Sequence, residues 1–290
     1  MEVSSQFDSF KKSSRRFEWA MWLNSELIVR RPEIVGLENL KKISKGVNPI
    51  IAGSHLRSDA SLQIIARELS EKFNIGIAVQ SGNRKDPLIN ALFTVIGQSN
   101  FYDIDSLTER KKVDGKSTRI DKYVLNLDNY DVMKDAMDKG KTIIISAHYS
   151  PIYTGILPNK PGFAAIYLAH LSGQRVIVPV VLDMQTDYEE TGRVDKKLNI
   201  VKNLLMNNRP KSKMTICEPI TFDPIDPLDF ELMKKWIKAR VNKKPSGLNS
   251  KEQEKAENVY RRMRQVDGSK VMYALAKALP MEKRGRWNRK

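Results

Sequence analysis

The sequence predicts an α/β fold, a sheet covered by helices, on three observations. Short apolar runs rich in β-branched residues recur along the chain at Ile50–Gly53, Ile75–Val79, Thr142–Ile145 and Val176–Leu182. Segments with apolar residues at helical spacing separate them, over 59–73, 87–96, 125–137 and 162–171. Glycines stand where two of these segments should end, Gly140 and Gly173, and the residue after a helix favours glycine. Alternating strands and helices build a sheet packed by helices. Apolar runs without polar alternation are strands buried on both faces.

The remaining elements follow in order. Residues 6–28 read as an amphipathic helix carrying Phe7, Phe10, Phe17, Trp19, Trp22 and Leu27, stopped by Arg31-Pro32. Ile34-Val35-Gly36 reads as a strand entering a turn, and Met214–Cys217 as a last strand before Pro219. Residues 105–122 are polar and rich in Lys and Arg, with the turn signal Asp114-Gly115, and read as a loop or insertion. A helix is predicted over 228–241, and Pro245, Ser246 and Gly247 mark a linker after it. Ser250 with Gln253 predicts a capping box. The helix it opens carries Ala256, Val259, Met263 and Val266 on one face, and helical spacing resumes over 270–279. Three parts result: an N-terminal amphipathic element, 1–32; an α/β domain, 33–242; and a linker with a basic helical tail, 243–290.

Composition narrows the function classes. The chain has 290 residues, 41% hydrophobic and 29% charged, which is globular rather than disordered. A single cysteine, Cys217, rules out an intrachain disulfide and suits a reducing compartment. No signal peptide is expected from the polar first 20 residues. No run reaches the roughly 18–20 apolar residues of a spanning helix. Net charge is +16. Residues 243–290 hold 14 Lys/Arg against 5 Asp/Glu, and 1–32 hold 6 against 4, so most of the basicity lies in the tail. An anionic membrane surface is therefore an expected partner, and a cytoplasmic, peripheral location is expected. Nucleic acid is not: the tail offers only Tyr260, Tyr273 and Trp287 as aromatics, and no nucleic-acid motif is present. Phosphate loops, dinucleotide fingerprints and Cys/His metal spacings are absent from the sequence, so neither metal nor cofactor is expected.

Of the three histidines, His55, His148 and His170, the first stands out. It directly follows an apolar strand in Ser54-His55-Leu56-Arg57-Ser58-Asp59. A carboxylate can fix the tautomer of an imidazole and stabilise its charged form while the other ring nitrogen takes a proton from a hydroxyl. On spacing alone, a turn histidine and an N-cap aspartate are the commoner reading. His170 reads as structural, and Cys217 as a small core residue.

The surroundings shift that balance. Ile34 to Leu40, with Gly36, Glu38 and Asn39, resembles the first strand and G-x-E-N turn of the glycerolipid acyltransferases, the 1-acylglycerol-3-phosphate acyltransferase-like proteins. Asn48–His55 resembles the run into that family's histidine motif. Pro87 to Gly97 with Phe101-Tyr102-Asp103 is similar to its second block, and Gly140–Ile145 to the strand before its third. Leu157–Ala165 resembles its L-P-F-K-K-G-A stretch, Val178–Leu182 its V-P-V block, and Cys217–Ile220 its closing G-E-P-I. Together these cover roughly residues 33–241.

The resemblance implies a mixed, mostly parallel sheet flanked by helices. It implies a catalytic pair, His55 and Asp59, that activates a hydroxyl of a glycerol phosphate or lysophospholipid. The hydroxyl then attacks an acyl thioester, either acyl-CoA or an acyl carrier protein conjugate, without a cofactor. Candidate contacts for the acceptor are Arg57, Arg84, Lys85, His148, Lys160 and Gly162. The chain departs from the family pattern twice. Three residues separate His55 from Asp59 where the family has four, so Asp59 serves through a shifted turn or the partner position is Ala60. Ser146–Pro151 stands where the family has F-P-E-G-T-R, with neither its glutamate nor its arginine. A lipid-binding protein that keeps the fold without the catalysis is the first alternative, and a basic nucleic-acid-binding protein is the second.

Overall fold

In the computed structural model of the chain, the residues described are 17, 31–54, 61–79, 93–94, 97–112, 119–148, 156–173, 176–184 and 211–288, with backbone alone at 106–112, 119–124 and 184. Seven strands form one sheet. They are β1 (Glu33–Val35), β2 (Ile50–Gly53), β3 (Ile75–Val79), β4 (Phe101–Asp103), β7 (Thr142–Ser146), β8 (Ile177–Met184) and β9 (Ser212–Ile216). Their order across the sheet is β1-β9-β8-β2-β7-β3-β4. Every pairing is parallel except β8 with β9, so the sheet is mixed and mostly parallel.

The period-two rule of strands sorts these apolar runs onto two faces. Ile50, Ala52, Ile143, Ile145, Ile177 and Val181 point to one core. Ile51, Ile144, Val178, Val180, Met214 and Ile216 point to the other. Fully burying one such aliphatic side chain contributes about 1.5–3 kcal/mol, so both faces must be covered. Helix α1 (Ser61–Ser70) covers the second face through Leu62, Ile65 and Leu69, and Phe17 is buried beside it. Helices α2 (Asp128–Asp138), α3 (Ala164–Leu171) and α4 (Pro227–Val241) cover the first.

The turn after β1 shows why its sequence is needed. Gly36 adopts φ +82°, and a Cβ there would stand 2.1 Å from the Ile216 carbonyl oxygen. Asn39 then donates from Nδ2 to that same carbonyl at 2.9 Å. The glycine and asparagine of this turn thus tie β1 to the end of β9.

Two sequence expectations need correction. Residues 105–122 are not a loop: β5 (Asp105–Lys112) and β6 (Arg119–Leu125) form an antiparallel hairpin with a register shift between Leu107 and Glu109. Asp114-Gly115 falls between its strands, and the surrounding charges had masked the strand pattern. The capping box also lies one residue earlier than Ser250. Asn249 accepts from the Glu252 N–H, and Glu252 Oε2 accepts from the Asn249 N–H, both at 2.9 Å. Only this pair puts Asn at N-cap and Glu at N3, the reciprocal arrangement the motif requires.

Beyond that cap the chain returns to the same core. Helix α5 (Ser250–Arg262), a π turn (Met263–Asp267) and α6 (Gly268–Lys277) follow without a break. Ala256, Met263, Val271, Met272 and Leu275 are buried among the residues that pack on the sheet's first face. The π turn carries Asp267 to His170 of α3, where Nε2 and Oδ2 lie 3.0 Å apart with both side chains buried. His170 therefore has the structural role its sequence context suggested. Gly268 allows this approach, since a Cβ there would stand 2.8 Å from Pro161.

Replacing Asp267 by Ala strands a buried imidazole nitrogen. The expected loss is about 1–3 kcal/mol of unfolding free energy, read as a lower urea midpoint at unchanged m-value. Val266→Ala, at an exposed neighbouring position, should change stability by less than about 0.5 kcal/mol.

Candidate functional site

Winding direction locates the site. From β2 the chain crosses through α1 to β3 on one side, and from β7 it crosses through α3 to β8 on the other. Parallel crossovers are right-handed, so connections running in opposite directions lie on opposite faces. The core membership of α1 and α3 agrees with this. Between the carboxyl ends of the adjacent strands β2 and β7, the chain therefore parts to both sides. In open α/β sheets, that crevice is where ligands bind.

Backbone hydrogen bonds hold its floor. Ala147 donates to Gly53 O at 2.9 Å, and Ser54 donates to Val180 O at 2.8 Å. Ser54 is buried, and its Oγ accepts from the Leu182 N–H at 3.1 Å. Ser54, immediately before His55, is thus fixed twice to β8, and Gly53 before it is tied to the end of β7. His55, Arg57 and Asp59 themselves lie outside the described residues, as do Arg84 and Lys85.

The other three predicted residues are described. His148 follows β7 and is buried. The Ser146 hydroxyl donates to the His148 carbonyl at 2.6 Å, which fixes the turn off the strand. Gly162 lies against this turn: its N–H donates to Ala147 O at 2.8 Å. A Cβ on Gly162 would stand 2.8 Å from that oxygen and 3.0 Å from His148 Cα, so the position requires glycine. His148 and Gly162 are brought together. Lys160, two residues earlier, is exposed and opens instead onto a basic pocket with Arg240, Arg261, Arg264 and Arg286.

Residues that sequence reasoning missed close the rim. Lys283 is buried and donates to both carboxylate oxygens of Asp183, at 2.9 and 3.1 Å, at the end of β8. Leu157 N–H donates to Lys283 O at 2.8 Å, and Trp287 Nε1 to Pro158 O at 2.7 Å. Segment 281–287 thus straps the Leu157–Pro158 turn to β8. The residues involved are too far apart in sequence for spacing to signal the contact. The only available hint was a tryptophan in a polar tail.

Cys217 is half-buried and donates weakly to Ala274 O at 3.5 Å, and burial pushes its thiol up to about 12. It is not poised as a nucleophile. Among the described residues no group of three His, Cys, Asp or Glu is placed to hold a metal, and no helix is long and apolar enough to cross a membrane.

No protein-family description matches the chain, and no curated protein matches it. Among solved structures it is similar to the 1-acyl-sn-glycerophosphate (LPA) acyltransferase PlsC of Thermotoga maritima. That likeness has a TM-score of 0.40 and 14% identity, over 85% of this chain and 76% of that one.

Two measurements test the site's construction. Gly162→Ala forces a carbonyl aside and should lower stability by about 1–3 kcal/mol, seen as a lower thermal midpoint. Cys217 in the folded protein at pH 8 should react with iodoacetamide at least about tenfold more slowly than in urea, because the folded thiol is almost wholly protonated. Equal rates would contradict the burial.

Proposed function

We propose that the protein is an acyltransferase that moves a fatty acyl group from an acyl thioester to a hydroxyl of a glycerol phosphate or lysophospholipid at a membrane surface. One observation carries this reading. Sequence blocks that separately resemble the glycerolipid acyltransferases, at Asn48–His55, Leu157–Ala165 and Val178–Leu182, meet at the carboxyl edge of the sheet. The end of the strand in Gly140–Ile145 joins them there. Direct hydrogen bonds link Gly53 to Ala147, Ala147 to Gly162, and Ser54 to Val180 and Leu182.

In this mechanism His55 accepts the proton of the acceptor hydroxyl while Asp59 holds the ring and stabilises the imidazolium. The hydroxyl oxygen bonds to the thioester carbonyl carbon, the C–S bond breaks, and the thiolate leaves with the proton returned from His55. No electrons are exchanged and no cofactor takes part. The acceptor phosphate is assigned to the cations Arg57, Arg84 and Lys85, for which charge-assisted hydrogen bonds are the natural device; Lys160 opens onto the separate basic pocket. His148 and the Gly162 turn are assigned to contact with the acceptor. Trp19 and Trp22, with Lys11, Lys12, Arg15 and Arg16, are assigned to docking at an anionic surface. Acyl-CoA and an acyl carrier protein conjugate both remain open as the donor.

A second reading has its own support. The turn after β7 carries Ser146-Ala147-His148 in place of a glutamate-bearing block, and His148 is buried there. A protein with the fold but no turnover would bind lipid without releasing thiol.

The test is thiol release from acyl-CoA, and from an acyl carrier protein conjugate, with a panel of glycerol phosphate and lysophospholipid acceptors. Acceptor-dependent release is expected. It should fall at least about 10³-fold in His55→Ala, within the range general-base catalysis supplies, at an unchanged thermal midpoint. Asp59→Asn should lose much of kcat with little change in KM, and full activity in that variant would assign the partner elsewhere. Lipid binding with no release by the wild-type chain would favour the second reading.

A further inference from the structure

The basic pocket beside the Lys160 turn lies outside the strand-end crevice, and acyl transfer does not account for it. Its volume is about 640 Å³, within the usual range for a small-molecule site. Lys160 comes from the turn before α3, Arg240 from the last turn of α4, and Arg261 from the end of α5. Arg264 belongs to the π turn, and Arg286 to the strap. Among the described residues, Glu257 is the one carboxylate in the lining. Five cations drawn from five separate elements thus surround one concavity with a single opposing charge.

Three of the guanidinium groups lie over aromatic rings, Arg286 on Trp287 at 4.5 Å from its centroid among them. Arg240 stacks over the Trp236 ring at 4.6 Å from its centroid. Arg264 lies 5.6 Å from the Tyr260 centroid and donates to the Tyr260 hydroxyl at 3.0 Å. Stacking on a ring fixes the plane of a guanidinium, whose N–H fork matches oxyanions in pairs. Like charges gathered this closely repel one another in the empty protein, which a polyanion would relieve.

We propose that this pocket binds a small organic anion bearing two or more phosphate groups. One phosphate cannot reach cations spread around a space of this size, whereas linked phosphates can bridge them. The inward convergence on a concavity fits a small molecule better than a membrane, which meets basic residues spread along a surface. The inference does not rest on acyl transfer, and binding is read without turnover.

The probe is sodium tripolyphosphate, titrated calorimetrically into the full chain at about 50 mM salt, where screening is weak. Saturable binding of one molecule per chain is expected, with inorganic phosphate binding at least about tenfold more weakly. The exposed-site double variant Arg240→Gln/Arg261→Gln should lose at least about tenfold in affinity while keeping its thermal midpoint without ligand. Lys251→Gln/Lys255→Gln removes the same charge from α5 outside the pocket and should bind as the wild type does. Should the arginine variant unfold, Lys160→Gln carries the same expectation from a loop. Equal losses in the two double variants would overturn the proposal in favour of diffuse electrostatics. So would failure of tripolyphosphate to bind while anionic phosphatidylglycerol vesicles bind through these arginines, which would make the patch a membrane surface.

Discussion

Everything at the candidate site depends on a sheet buried on both faces whose chain leaves adjacent strands in opposite directions. Burial on both faces makes β2, β7 and β8 apolar through their middles. Polar groups become available only where the strands end. The crossover from β2 packs on one face and that from β7 on the other, so the chain parts to both sides between their carboxyl ends. Ser54 and His148 are held at these strand ends, and both are buried.

The segment beyond residue 243 is part of that arrangement rather than an appendage in space. Its apolar face completes the core over α3 and β8. His170 with Asp267 joins α3 to the π turn, and Lys283 with Asp183 joins the strap to β8. Removing one member of such a buried pair costs more than the pair contributes, because the other is left desolvated. These contacts specify where the last helices sit. The same placement gathers the tail's arginines around Lys160, so the high positive charge of the sequence becomes a local concavity instead of a uniform basic surface.

The fold was legible wherever one physical signal dominated. Ile50–Gly53 and Ile75–Val79 were read to the residue, because full burial leaves an unbroken apolar run. The hairpin over 105–125 was hidden because Glu109, Arg110, Lys111 and Lys112 obscure strand alternation. The cap of α5 was missed by one residue because Ser250 and Asn249 are both good cap residues, and only the reciprocal bond with Glu252 separates them. At the site, the sequence pointed to His148, Lys160 and Gly162 through their blocks. It could not reveal that Gly162 meets Ala147, or that four arginines from distant elements converge on Lys160. Those are facts of packing, without a local pattern to announce them.

The pairing of β1 bears on how the chain is made. Among the described residues its only neighbour in the sheet is β9, whose register partners are Lys213, Met214 and Thr215. A ribosome adding about 5–20 residues per second takes roughly 10–35 s to go from one strand to the other. Through that interval the Gly36 turn has no Ile216 carbonyl to meet, and the edge of β1 stays unpaired. During synthesis β1 is therefore among the last strands to join the sheet.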